Sequence, residues 1–400
     1  VNEPDLITRL AAKGDGVTAS GRHVVLAAPG DLVEADGTLH PGPHHVAPPC
    51  RHFPTCGGCQ LQHADEETLA DFVTQRVENA ARAQGLVPRA LAAPAMSPPR
   101  SRRRASLKIA NGGGRPIIGF TQAGSHRIVD MRECHVLLPD LFALVPKLRD
   151  YFAGKRGKYA IGAEMARSDQ GVDLGLTGFF PDGLSETEAL LDFARDNGLA
   201  RLTLDQGYGA EGFWEPEPVT VTLGGHRVSF PAGAFVQATA QAERALTGAA
   251  LEWLDGCDQV ADLFSGLGTF AIPLAANAKV LAAEADRAAV LACRGAANSA
   301  GIPVQVEHRD LFRNPLRAEE LRGFDAVLLD PPRAGARTQI EQIAASGVGR
   351  VVYVSCNPSS WSRDGRVLAD HGYALEELRP VGQFRWSTHV ELASLFVKHD

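Results

Sequence analysis

Val351-Val352-Tyr353-Val354-Ser355-Cys356-Asn357-Pro358 is an apolar, β-branched run that stops abruptly on a cysteine. Continuous Val/Ile/Leu runs mark strands buried on both faces of a parallel sheet, and the ligand crevice of an open α/β sheet lies at the carboxyl ends of such strands. Cys356 is therefore expected at the mouth of a site. A free cysteine is also a common, inert filler of packed interiors, so the surrounding segments must decide between the two readings.

Upstream of this strand, from Gly233 onward, the chain alternates regularly between strand and helix patterns. Gln259-Val260-Ala261-Asp262-Leu263-Phe264 reads as the first strand and runs into Ser265-Gly266-Leu267-Gly268-Thr269-Phe270; the next, Ala278 to Ala283, ends at Glu284. A glycine turn that lets a ligand approach the backbone, followed by a carboxylate one strand later, is what a ribose-containing ligand needs. Gly266-x-Gly268-x-x-Ala271 also fits a dinucleotide fingerprint, so NAD is a rival at this point. Val304 to Glu307 leads to Asp310, placed to meet an adenine amino group. Phe324 to Leu329 ends in Asp330-Pro331-Pro332-Arg333, where two prolines stop the strand and fix an acid at the crevice. That suits a base or a methyl donor better than a hydride. The final strands are expected at about Ala374 to Leu378 and Val390 to Lys398, with Glu391 entering the last.

The first half is built differently. Four hundred residues exceed what one core usually serves, so two or three domains are expected. Residues 5–46 carry short apolar runs broken by Gly14-Asp15-Gly16, Pro29-Gly30-Asp31 and Asp36-Gly37, the pattern of a small all-β barrel of OB type. Cys50, Cys56 and Cys59 follow within ten residues, and the distant Cys134 is a candidate fourth ligand. Thiolates of this kind select zinc or an iron–sulfur cluster. From Gln60 to about Gln84 the spacing of Leu69, Phe72, Val73, Val77 and Ala80 predicts a helix. Arg102, Arg103, Arg104 and Lys108 form a basic cluster suited to phosphate, although a solvated strand edge would look the same. The net charge of −7 argues against a generally basic nucleic-acid coat. No apolar run of about eighteen residues occurs. With an acidic start (Val1-Asn2-Glu3-Pro4-Asp5), a cytoplasmic protein without membrane contact is expected.

Taken in order, the cysteine spacing, Phe235-x-Gln237, the loop at Asp262 to Gly268, Asp330-Pro331-Pro332-Arg333-x-Gly335, Ser355-Cys356-Asn357-Pro358 and His389-Val390-Glu391 closely resemble the uracil-5 RNA methyltransferases, in particular the iron–sulfur-containing 23S ribosomal RNA enzymes. The resemblance implies a multidomain α/β chain. Its parts would be a small N-terminal TRAM-like β-barrel over 1–46, shorter than a complete one; a central α+β domain over 47–232 with a 4Fe–4S cluster on Cys50, Cys56, Cys59 and Cys134; and a Rossmann-like methyltransferase domain over 233–400. It implies S-adenosylmethionine as cofactor, with Gln237, Phe264, Thr269, Glu284, Asp310 and Asp330 at its binding positions; Thr269 stands where an asparagine is often found. It further implies Cys356 as nucleophile and Glu391 as base. A helix N-terminus after the strand end would favour the Cys356 thiolate. Phe235 is a candidate to stack on a flipped base, Phe384 and Trp386 weaker ones. The expected partner is RNA, ribosomal or alternatively transfer RNA, bound by a monomer; a non-catalytic iron–sulfur RNA-binding assembly factor is the alternative of another class.

Overall fold

The computed structural model describes residues 4–111, 114–155 and 157–399; Val1, Asn2 and Glu3, read above as the acidic start, lie outside them. Five short strands open the chain: β1 (Asp5–Leu10), β2 (Gly16–Thr18), β3 (His23–Val24), β4 (Leu32–Val33) and β5 (Leu39–His40). They pair in the order β3-β2-β1-β4-β5, an open half-barrel around Ile7, Ala27 and Val33. Helix α1 (Glu66–Ala83) begins later than its periodicity suggested. Asp65 is its N-cap, accepting the Thr68 amide at 2.9 Å, with Glu66 and Glu67 in the first turn.

Two short strands, β6 (Ala90–Leu91) and β7 (Ala95–Met96), precede β8 (Arg104–Asn111), β9 (Pro116–Gly119), α2 (Pro139–Phe152), β10 (Ala160–Arg167), β11 (Val172–Thr177), α3 (Gly183–Asp196), β12 (Leu199–Asp205) and β13 (Ala210–Trp214). Of these, β8 to β13 form a six-stranded sheet in the order β13-β12-β11-β10-β8-β9. Period-two alternation puts Leu107 and Ile109 into the core and turns Ser106 and Lys108 outward. A hairpin, β14 (Thr220–Leu223) with β15 (His226–Ser229), leads to the last part.

There α4 (Ala240–Trp253), β16 (Gln259–Leu263), α5 (Ala271–Leu274), β17 (Lys279–Glu284), α6 (Arg287–Ala300), β18 (Val304–His308), α7 (Ala318–Leu321), β19 (Ala326–Leu329), α8 (Arg337–Ser346), β20 (Arg350–Ser355), α9 (Pro358–Asp370), β21 (Tyr373–Gly382) and β22 (Glu391–Lys398) wind a doubly covered sheet. Its order is β18-β17-β16-β19-β20-β22-β21. The first five strands are parallel and β22 inserts antiparallel between β20 and β21. The quoted stretch is its centre: Val351 and Tyr353 enter one core, Val352 and Val354 the opposite one, and all four are fully buried.

The sheet's β21 edge is completed from the first half of the chain. β6 and β7 pair with β21 in parallel, and α1 lies against α9 and β21 through Phe72, Val73 and Val77. Among the described residues no helix is long and apolar enough to cross a membrane.

Candidate active site

Strand order reverses between β17 and β19 around β16, and the loops leaving these carboxyl ends converge there. After β16, Phe264 (φ 61°), Gly266 (φ 54°) and Gly268 (φ 90°) all take left-handed backbone. A side chain at Gly268 would bring its Cβ within 2.7 Å of Cys293 Sγ, so glycine is required on two counts. Glu284, at the end of β17, accepts the Gly266 amide at 2.9 Å and the Ala285 and Asp286 amides at 2.7 Å. Asp310 accepts the Phe312 amide at 3.0 Å, and the Phe312 ring lies 5.3 Å from that of Phe264. Thr269 is half-buried in the same turn. Beneath the loop, Asp262 is fully buried and neither carboxyl oxygen has a partner at hydrogen-bonding distance. Burial drives its pKa well upward. Two glycines, two carboxylates, exposed aromatic edges and an orphaned buried acid fit a cationic adenosine-containing group such as S-adenosylmethionine.

The reactive end lies one strand over. Cys356 follows β20, and Ser355 pairs in register with Leu392, which places Glu391 across from the cysteine at the head of β22. Asp330, at the end of β19, accepts Gln237 Nε2 at 3.1 Å; Gln383 Nε2 donates to Glu391 Oε1 at 2.7 Å. Burial, then the charge of Asp330, pushes Glu391 up to about 8, opposed by Gln383 and Arg333. Burial pushes Asp330 up to about 7 against the Gln237 bond. Cys356 rises to about 11, through burial and then Glu391 and Asp330, with Arg333 opposing. The expectation of a lowered cysteine pKa is thus reversed. In the open pocket, desolvation and two acids outweigh a helix start whose cap, Asn357, bonds Ser359 instead.

Cys356 and Glu391 line a cleft of about 920 Å³ whose other wall carries Arg102, Arg104, Lys108 and Phe235. Phe235 is exposed, with the Arg104 guanidinium 4.3 Å from its ring. Arg103 points away from the cleft, bonded to the Gln237 carbonyl at 2.8 Å and ion-paired with Glu243. Phe384 lines the cleft beneath Arg102, whereas Trp386 is buried and serves packing. Gln383 was not singled out from the sequence, and Asp262 only as the first residue of the loop motif. Their placement emerges only from the register of β21 with β22 and from the glycine loop folding over β16.

Cys50, Cys56, Cys59 and Cys134 line one small apolar cavity with Phe53, Phe120, Met131 and Val136. Burial pushes all four thiols up, Cys59 to about 12. Among the described residues the ligand trio whose donor atoms lie within 4.8 Å of one another is His44, Asp65 and Glu67; the cysteine sulfurs are spread more widely. The cysteine segment is tied to the turn between β21 and β22, because the Gln60 and Leu61 amides donate to the Trp386 carbonyl at 2.7 and 2.9 Å.

The family model for tRNA (uracil-5-)-methyltransferase matches residues 305–399. An RNA methyltransferase of Zymomonas mobilis is 47% identical over 393 residues, 98% of this chain and 99% of its own. The 23S rRNA (uracil(1939)-C(5))-methyltransferase RlmD of Pectobacterium atrosepticum is 34% identical over 376 residues, 90% of this chain and 82% of its own. The crystal structure of Pyrococcus abyssi tRNA (uracil-54, C5)-methyltransferase in complex with S-adenosyl-L-homocysteine matches in fold with a TM-score of 0.76. It is 22% identical and covers 98% of this chain and 100% of that one. With a glycine loop and acids fit for the cofactor and these relatives along nearly its whole length, the chain belongs to the family of S-adenosylmethionine-dependent RNA (uracil-5-)-methyltransferases.

Proposed function

We propose that this enzyme methylates carbon 5 of a uridine in 23S ribosomal RNA, with Cys356 as nucleophile and Glu391 as base. The observation that carries the reading is their placement on neighbouring strands, Ser355 paired with Leu392, at the floor of a cleft with a basic wall. Carbon 5 of uracil is a poor nucleophile. A Cys356 thiolate adding to carbon 6 pushes an electron pair toward carbon 5, which then has the reactivity to take a methyl group. S-adenosylmethionine, when bound, supplies that methyl on a positively charged sulfur. Glu391 next removes the carbon 5 proton, the bond from sulfur to carbon 6 breaks, and the thiolate is returned. Arg333, the cation that opposes the rise of the cysteine pKa, is the group placed to favour the thiolate.

Gln237, Phe264, Thr269, Glu284, Asp310 and Asp330 are assigned to the cofactor side. Phe235, Arg102, Arg104 and Lys108 are assigned to RNA; Arg103 instead braces Gln237. Ribosomal RNA is favoured over transfer RNA by the extent of identity to the ribosomal enzyme.

We further assign a 4Fe–4S cluster to Cys50, Cys56, Cys59 and Cys134. What supports the reading is the donor set: four thiols lining one apolar cavity, the ligands that iron–sulfur clusters take.

The test is labelled methyl transfer to unmodified 23S ribosomal and transfer RNA transcripts by the parent and by Cys356→Ala. Product on the ribosomal transcript, abolished in the variant with S-adenosylhomocysteine binding kept, is expected. Full activity of Cys356→Ala would end the covalent reading, and product on transfer RNA alone would reassign the substrate.

A further inference from the structure

Gln383 sits one residue past β21, in the turn leading to Glu391, and both ends of its amide are engaged. The Ala238 backbone N–H donates to Gln383 Oε1 at 3.0 Å, which fixes that end as the acceptor. Nε2 must therefore donate, and it reaches Glu391 Oε1 at 2.7 Å and Gln237 Oε1 at 3.3 Å. Gln237, its oxygen so used, turns its own Nε2 to Asp330 Oδ2 at 3.1 Å. One backbone amide thus sets the direction of a relay joining both site carboxyls. Gln237, Gln383 and Glu391 are all buried, at 3%, 2% and 4% exposure, so water does not compete for these bonds.

We propose that Gln383 is a positioning residue for proton removal: it favours the ionised form of Glu391 and occupies one carboxylate oxygen so that the other serves the cleft. The proposal rests on the reading of Glu391 as the base. The charged and titratable groups facing Glu391 are Asp330 at the end of β19, Arg333 in the turn after it and Cys356 at the end of β20. Burial, then the charge of Asp330, favours the protonated form of Glu391. A donated N–H favours the charged carboxylate, so Gln383 and the exposed Arg333 limit that effect and bring the ionised base within reach at mildly alkaline pH. A residue that merely filled space would be interchangeable with methionine, which has the same reach and no donor.

The experiment follows methyl transfer from about pH 6 to about pH 10. It uses the full-length parent, Gln383→Met, Gln383→Glu and Glu391→Gln, with whichever unmodified ribosomal or transfer RNA transcript the parent methylates. Activity rises with pH as the base loses its proton, so losing the donor should move this limb upward. The expected shift is about one pH unit in Gln383→Met, read as about tenfold lower turnover on the limb with recovery at high pH. Gln383→Glu, which adds a like charge, should shift it farther. With the same RNA carrying 5-fluorouridine, whose carbon 5 has no proton to remove, all Gln383 variants should trap the covalent adduct as the parent does. An unmoved limb in both variants would overturn the proposal, as would loss of the trapped adduct, which places the defect before proton removal. Normal turnover by Glu391→Gln would remove the base reading and the proposal with it, an outcome distinct from both.

Discussion

Tyr353 donates its hydroxyl to Asp364 at 2.7 Å, linking the strand that delivers Cys356 to the helix that follows it. The same Asp364 oxygen accepts the Ala336 amide at 2.8 Å, just past the Asp330-Pro331-Pro332-Arg333 turn. Gly335 allows this approach: its φ is 83°, and a Cβ there would lie 2.6 Å from Asp364 Oδ2. The catalytic strand and the acid-bearing turn are thus held by one buried carboxyl. Tyr353→Phe removes one donor from a buried acceptor and is expected to cost about 1–3 kcal/mol of stability, measured as a lowered urea midpoint with an unchanged slope. A midpoint equal to the parent's would show that the hydroxyl holds nothing.

Stability of the cofactor-free protein should fall as pH rises from about 7 to about 8.5. Glu391 and Asp330, raised to about 8 and about 7, keep protons in the fold that the unfolded chain releases near pH 4. Their contribution is complete below that unfolded value and is lost as pH passes through the folded ones; buried Asp262 acts in the same sense. Glu320, shifted down to about 2, has finished titrating in both states below this window, and His52, His63 and His389, shifted down by burial, oppose the trend at about pH 6. Thermal melts at stepped pH check this. Glu391→Gln should flatten the curve, and an equal slope in both proteins would refute the assignment.

Replacing the base while keeping its shape separates addition from elimination. Glu391→Gln is expected to accumulate a protein–RNA adduct that survives denaturing electrophoresis, with turnover lowered by about a hundredfold or more. Because the steps before proton removal need only Cys356 and the bound methyl donor, the adduct should carry label from the donor's methyl group. Unlabelled adduct, or none, would count against this order of events.

The cysteine cavity makes its own prediction. Protein purified without oxygen should show a broad visible absorption that Cys134→Ser weakens, together with a lowered melting temperature, since the metal group's binding energy is folding energy. A colourless sample holding one zinc would refute the cluster.

The placement of Cys356, Asp330 and the glycine loop was legible because each sits where a hydrophobic run stops, and that of Glu391 because one begins there; strand ends are what a doubly wound sheet brings together. Arg102 and Arg104 were separable from Arg103 in principle, since strand alternation turns the middle residue to the other face; reading the cations as one patch missed this. Gln383 was not legible, as one amide after an apolar strand carries no pattern, and its meaning comes from which backbone N–H it meets. The half-barrel could be expected from its turn residues, but not how its short strands close. The late start of α1 follows from Asp65, an N-cap hidden among polar residues that fit the helical period equally well.

The pairing of β6 and β7 with β21 has a consequence for how the molecule is made. These segments leave the ribosome nearly three hundred residues before the strand they complete, and α1 waits as long for α9. Their ladder hydrogen bonds and apolar faces must stay unsatisfied while the intervening sheet forms, a state open to aggregation and to chaperones. The late-emerging β21 therefore closes the first half as well as the second. Acquisition of protease resistance should be late and shared by both halves, instead of appearing one domain at a time.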